Sequence, residues 1–230
     1  MLPMTPELQR VFDRGAQALE EAFRPEHSIH LAIDWQRLYC DPRLPTNSHI
    51  SQQKADTIKA TLDEVNEFAD IARGMAPTWW VYHDPELDKD SFGDDYFMFA
   101  SESTIKRRIA QFREEGVAIC GRVDHERDLI LRKPFKNAFA GTDLHERLQR
   151  REIDTLLVTG LYRYYRECVG LTLTEAAGLK YKAFVIEDLT VDKVDHTERS
   201  RLALAEMTER DGAFCVTSDQ VRRVLAKYQP

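Results

Sequence analysis

A carboxylate, an ammonium and a thiol brought together suffice for covalent acyl transfer. The carboxylate accepts the thiol proton, the sulfur attacks a carbonyl carbon, and the ammonium offsets the negative charge that develops. Asp34, Lys133 and Cys168 supply these three groups, each following its own apolar, strand-like run. Cys168 comes after Leu156-Leu157-Val158-Thr159-Gly160 and opens a helix-like run, where free backbone N–H groups and the positive end of the helix dipole lower a thiol's pKa. Their separation in sequence is no obstacle, because nucleophile and base need be neighbours only in space. Taken singly, each residue also has a role without chemistry: Asp34 as a turn or cap residue, Lys133 as an exposed strand-end lysine, Cys168 as a small core residue. Only their conjunction favours catalysis.

The elements that must position them follow from periodicity. Thr5 caps and Pro6 starts an N-terminal helix over about 5–23, with Leu8, Val11, Phe12 and Leu19 near helical spacing. Ile29 to Ile33 reads as a central strand ending at Asp34, followed by a polar, Pro-containing loop to about Ile50. From Ser51 to Met75 a helix carries Ile58, Leu62, Val65 and Phe68 on one face and closes at Gly74, and Thr78 to Tyr82 is a second buried strand. An excursion over about 84–128 begins acidic and aromatic, offers a helix bearing Ile105, Ile109 and Phe112 that stops at Gly116, and ends with a short strand, Val117 to Cys120. Its length suits a lid, a pocket wall or an oligomer contact.

Beyond it, strands and helices alternate. Leu129 to Leu131 is a strand ending at Lys133, Asp143 to Arg151 a helix, Asp154 to Thr159 a strand and Cys168 to Lys180 a helix. Ala183 to Ile186 is a strand ending in Glu187-Asp188, Thr197 to Arg210 a helix, Ala213 to Val216 a strand, and Ser218 to Tyr228 a terminal helix capped by Ser218. This order predicts an α/β fold, a mainly parallel sheet with helices on both faces in a Rossmann-like three-layer arrangement. In such a sheet the three candidate residues emerge at one edge, the edge where ligands bind.

Composition sets the outer limits. At 230 residues, 43% hydrophobic and 31% charged, the chain suits a single soluble domain over 1–230. A net charge of −7 argues against non-specific nucleic-acid binding. The opening residues have no basic start followed by an apolar core, and no apolar stretch approaches membrane-spanning length, so a cytoplasmic protein without membrane contact is expected. Cys40, Cys120, Cys168 and Cys215 form no C-x-x-C pair, and reduced thiols are expected.

Local sequence adds a resemblance. Ile33-Asp34-Trp35-Gln36 resembles the I-D-x-Q strand end of the isochorismatase-like cysteine hydrolases. The run from Lys133-Pro134 through Ala138-Phe139 to Gly141-Thr142 and Leu144 resembles their K-P-x-x-x-A-F-x-G-T-x-L segment. Val158-Thr159-Gly160, and Cys168-Val169 followed by Thr172 and Ala176, are similar to V-T-G and C-V-x-x-T-x-x-x-A. The resemblance runs from about Ile29 to Val216 and implies a six-stranded parallel sheet, frequent homo-oligomers, and an Asp-Lys-Cys set carried here by Asp34, Lys133 and Cys168. In one place the chain departs from the pattern: Gly160 to Cys168 is two residues longer than in the family. The family's loop there supplies oxyanion N–H donors, and the insertion either redirects those amides, brings Tyr162, Tyr164 or Arg166 to the substrate, or leaves the hole unformed.

The activity so implied is hydrolysis of a non-peptide C–N bond in a small amide or carbamoyl-like molecule, with Trp35, Phe139 and Tyr164 as candidate pocket walls. No cofactor is expected. No metal is expected either: nicotinamidases of this superfamily use an Asp-x-His after the second strand, and here that strand ends in His83-Asp84. Phosphate loops, dinucleotide glycine fingerprints and a G-x-S-x-G elbow are absent. Two alternatives stand beside the amidase: a catalytically silent binding or assembly protein of the same fold, and an isochorismate-type vinyl ether hydrolase.

Overall fold

The computed structural model describes residues 5–41, 50–84, 103, 110, 116–161, 167–192 and 212–229. Helix α1 (Pro6–Ala22) starts as its sequence predicts, with the Thr5 side chain accepting the Leu8 N–H at 3.3 Å and Pro6 in the first turn. Strand β1 (Ser28–Ile33) is buried at every position, and a single helical turn, α2 (Arg37–Cys40), interrupts the polar loop behind it. Helix α3 (Gln52–Ala72) is capped by Ser51 and followed by β2 (Thr78–His83). Then come β3 (Leu129–Lys133), α4 (Leu144–Arg150), β4 (Thr155–Leu161), α5 (Cys168–Gly178), β5 (Lys182–Val191), β6 (Phe214–Val216) and α6 (Ser218–Ala226).

All six strands are parallel, in the order β3-β2-β1-β4-β5-β6. The chain steps outward from β1 to β3, then returns to the other side of β1 with β4. The order therefore reverses between β1 and β4, and the crevice beyond the carboxyl ends of those two strands is where a doubly wound sheet offers room for a ligand.

Two apolar layers sandwich the sheet, as the period-2 alternation of side chains requires. Ile29, Leu31 and Ile33 face α4 and α5 through Leu144, Leu148, Val169 and Leu173. Ala32, Trp80, Leu157 and Phe184 face α3 and α6 through Ile58, Val65, Phe68 and Val221. One polar link crosses the middle of the sheet. His30, fully buried, joins Thr78 of β2 to Thr159 of β4, its Nδ1 3.2 Å from one hydroxyl and its Nε2 2.8 Å from the other. Burial lowers its pKa to about 3, so the ring is neutral.

Three local expectations change. Val117 to Cys120 forms no strand. Ile119 makes an isolated antiparallel bridge to Gln36, limited to Arg37 N–H to Ala118 O at 2.9 Å and Cys120 N–H to Trp35 O at 2.8 Å. Strand β5 runs past the polar Glu187-Asp188 pair, because its pairing with β4 breaks after Val158↔Val185 and resumes at Gly160↔Thr190. This bulge turns Asp188 toward α6, where it accepts the Ser218 N–H at 2.7 Å and hydroxyl at 2.6 Å. For that reason Thr217, not Ser218, caps α6, in a reciprocal capping box with Gln220. The expected helix over Thr197 to Arg210, and the one bearing Ile105, Ile109 and Phe112, lie outside the described residues, as does most of the excursion.

Candidate active site

Asp34, Lys133 and Cys168 meet beyond the carboxyl ends of β1, β3 and β4. Asp34 leaves β1 with a left-handed φ of 60°, a conformation rare outside glycine and a source of local strain. Beside it, Gly160 lets β4 come close: a Cβ there would lie 2.6 Å from the Ile33 carbonyl oxygen and 3.0 Å from Val169. Only glycine fits that junction. Cys168 is the first residue of α5, whose first intrahelical bond runs from Leu171 N–H to Glu167 O. The N–H groups of Cys168, Val169 and Gly170 precede it and have no acceptor within the helix.

Lys133 reaches back across β2, roughly 10 Å over two strand spacings, and its Nζ lies 2.9 Å from Asp34 Oδ2. Both side chains are fully buried. The other two ammonium donors go to the carbonyls of Phe135 at 3.3 Å and Lys136 at 2.9 Å. All three protons of Lys133 are thereby used, and the exposed-lysine reading is excluded.

Burial governs the electrostatics. It lifts Asp34 above the ordinary carboxylate range, and the Lys133 ammonium and the Cys168 thiol pull it part of the way back. For Lys133, burial works downward, but the Asp34 and Cys168 charges outweigh it and keep the ammonium above the usual lysine value. Cys168 departs from expectation: burial, then the negative charge of Asp34, push its thiol far above the normal range despite Lys133 and the helix terminus. The resting sulfur is a thiol, because its residue is 2% exposed and a carboxylate stands beside it. Asp34 Oδ1 is buried and lacks a nitrogen or oxygen donor in good geometry; the weakly donating Cys168 S–H acts on the same carboxylate.

Two side chains without an assigned role in the sequence reading hold this arrangement. Gln36 accepts the His83 N–H through Oε1 at 2.7 Å and donates through Nε2 to the His83 carbonyl at 2.9 Å and to the Gly116 carbonyl at 3.2 Å. His83 lies beside Lys133 in the β2–β3 register, so the end of the sheet that carries the ammonium is fixed from β1. Thr172 donates to the Cys168 carbonyl at 2.7 Å and accepts the Ala138 N–H at 3.0 Å, joining the segment after Lys133 to the turn that presents the thiol. Both residues fall inside motifs quoted above, and motif position was the one signal that could have found them. His83 itself is buried, with Nε2–H facing the Pro134 carbonyl at 3.3 Å and Nδ1 accepting from the Tyr39 hydroxyl at 3.0 Å. Burial and the nearby Lys133 lower its pKa to about 3.

Of the remaining candidates, Trp35 and Phe139 are among the described residues. Trp35 packs in the layer against α3 and α6, on the opposite side of the sheet from Cys168. Phe139 packs on the core and stacks with Tyr181 at 5.9 Å, and Tyr181 in turn bonds His145 at 2.8 Å. Tyr162, Tyr164 and Arg166 lie outside the described residues. Among the described residues no three His, Cys, Asp or Glu side chains gather as metal ligands, and no helix is long and apolar enough to cross a membrane.

Comparison with solved structures finds the same architecture. A cysteine hydrolase from Pseudomonas syringae pv. phaseolicola superimposes with a TM-score of 0.70 at 18% identity, over 90% of this chain and 96% of its own. N-carbamoylsarcosine amidase from Thermoplasma acidophilum matches with a TM-score of 0.56 at 20% identity, over 84% and 97%. A pyrazinamidase/nicotinamidase from Streptococcus mutans matches with 0.57 at 16%, over 82% and 99%. At these identities the likeness speaks to the fold. Comparison with curated proteins finds no significant match. The family model described as Isochorismatase domain matches residues 28–220, a span that takes in all six strands and the three strand-end groups, and the chain therefore belongs to the isochorismatase family of hydrolases.

Proposed function

We propose that this protein hydrolyses a non-peptide C–N bond of a small amide or carbamoyl-like substrate through a thioester on Cys168. The observation that carries the reading is the buried Asp34–Lys133 contact at 2.9 Å with the Cys168 thiol against it. Asp34 takes the thiol proton as Sγ attacks the carbonyl carbon, so a free thiolate never has to exist in the buried resting site. The charge on the tetrahedral oxygen is held by the field of Lys133 and by N–H groups at the start of α5. When the C–N bond breaks, protonated Asp34 gives its proton to the leaving nitrogen. It then takes a proton from water as the hydroxide oxygen attacks the thioester, and Cys168 departs as the thiol. One water is consumed, and the products are an amine or ammonia and an acid. Lys133, with every donor occupied, orients Asp34 Oδ2 and leaves Oδ1 for the proton.

The choice of a C–N bond draws on two structural neighbours named as amidases. The test is a panel of N-carbamoyl compounds, primary amides and an enol ether acid, read by ammonia and pyruvate release, with acid-quenched protein examined by mass spectrometry. Ammonia release with an acyl adduct on Cys168, lost in Cys168→Ala and in Asp34→Asn, supports the reading. Pyruvate release that survives Cys168→Ala would replace it with vinyl ether hydrolysis. Binding without turnover would favour the silent protein, a reading motivated by the buried, protonated resting thiol.

A further inference from the structure

Cys40 and Cys120, distant in sequence, meet beside the loop that follows β1. Cys40 ends the single turn of α2, with its N–H bonded to the Gln36 carbonyl at 3.0 Å. Cys120 follows Ile119, the residue bridged to Gln36, and its own N–H bonds the Trp35 carbonyl at 2.8 Å. The short antiparallel bridge thus brings both residues to the same few backbone atoms, and the two thiols are hydrogen-bonded to each other. Both residues are half-buried, whereas Cys168 and Cys215 are buried.

We propose that Cys40 and Cys120 form a dithiol oxidation site, which a peroxide converts into an intramolecular disulfide across the Gln36–Ile119 bridge. The site contains none of the three strand-end groups, although the Asp34 charge reaches Cys40, and it does not depend on what Cys168 attacks. The roles of the two sulfurs follow from their contact. The hydrogen bond with Cys40 holds the Cys120 thiol below the ordinary range although burial works against it. The same bond, with burial, pushes Cys40 well up. Cys120 is the attacking sulfur and Cys40 the resolving one.

In the first step the Cys120 thiolate attacks one peroxide oxygen. The O–O bond breaks, hydroxide leaves and takes up the thiol proton as water, and the sulfur becomes a sulfenic acid, oxidised by two electrons. In the second step the Cys40 sulfur attacks the sulfenic sulfur, the S–O bond breaks, and the departing hydroxide leaves as water with the Cys40 proton. Two thiols and one peroxide give one disulfide and two waters. The cross-link ties α2 to residues 116–120, the same two segments that the Gln36 amide joins through its bond to the Gly116 carbonyl.

The test uses the full chain and hydrogen peroxide at about one equivalent. Expected are a fall in free thiols, counted after denaturation, from the four of the untreated chain to two. A Cys40–Cys120 peptide appears on mapping, and dithiothreitol reverses the change. In Cys40→Ser a sulfenic acid trapped by dimedone appears at Cys120; in Cys120→Ser peroxide consumption slows by about tenfold or more. Persistence of all four thiols in the folded wild-type chain, oxidation led by Cys168 or Cys215, or cross-links between chains would overturn the proposal. The wild-type thiol count and map decide the matter even where a serine variant fails to fold.

Discussion

Gln36 and His83 are joined through both ends of one amide, with the Gln36 Oε1 on the His83 N–H at 2.7 Å and its Nε2 on the His83 carbonyl at 2.9 Å. The pairing imitates one rung of a sheet, made by a side chain where the backbone of β1 has already turned away at Asp34. Gln36→Leu strands a buried N–H and a buried carbonyl, and each unsatisfied group costs about 1–3 kcal/mol. Urea unfolding should show a loss of about 2–6 kcal/mol in total. A loss below about 0.5 kcal/mol would mean that the clasp contributes nothing beyond packing.

The Asp34–Lys133 pair should behave as a buried ion pair in a double-mutant cycle. Lys133→Met leaves a buried carboxylate without its counter-charge and should cost about 3–5 kcal/mol of stability. Asp34→Asn combined with Lys133→Met should recover most of that loss, because no charge then remains to be solvated. Turnover should be abolished in all three variants. Purely additive stability changes would show that the two charges do not interact.

Thiol reactivity should run against the first expectation from sequence. Alkylation with iodoacetamide near neutral pH should label Cys120 well before Cys168, since the Cys40 hydrogen bond holds Cys120 down while burial and Asp34 hold Cys168 up. Peptide mapping against time gives the order. Cys168 labelled first would mean that the site holds a thiolate at rest and that the proposed concerted proton transfer is wrong.

The buried histidines fix the sign of the acid response. His30 and His83 have folded-state values of about 3 against 6.5 for a free histidine. Above pH 6.5 neither state binds a proton at these rings; between 6.5 and 3 the unfolded chain does and the folded one does not. Stability should therefore fall as pH drops below 6.5, by up to about 1.4 kcal/mol per pH unit for each histidine. Asp34, raised above 3.8, opposes this slope, since the folded state keeps its proton longer. The histidine share is read as the difference between wild type and His83→Asn in urea unfolding at pH 7, 6 and 5. Parallel curves would assign the slope elsewhere.

The frame of this protein is legible in its sequence because apolar runs and strand ends are local signals. Ile29 to Ile33, Thr78 to Tyr82 and Asp154 to Thr159 all lie within observed strands or within a residue of one, and the three strand-end groups do converge. Protonation was not legible. The pull of a helix terminus on Cys168 can be read from sequence, but its burial and the carboxylate beside it arise only from tertiary packing, and they dominate. Long-range pairings were hidden for the same reason. Nothing near Lys133 announces that its ammonium is saturated by Asp34 and two carbonyls, and nothing in the acidic Glu187-Asp188 pair announces a bulge that serves a helix thirty residues on.

His30 has a consequence for assembly of the sheet. Parallel strands have no hairpin turn to set how far one slides along the next, and strands buried on both faces offer nearly the same apolar contact after a shift. A ring whose two nitrogens each need a hydroxyl accepts a single alignment, that in which Thr78 and Thr159 stand on either side of it. The imidazole acts as an alignment pin for β2, β1 and β4, set one layer below the strand ends. When it is seated, Val81, Ile33 and Gly160 come out level, one residue short of Asp34, and the height of the reactive edge is decided inside the core, before any substrate arrives.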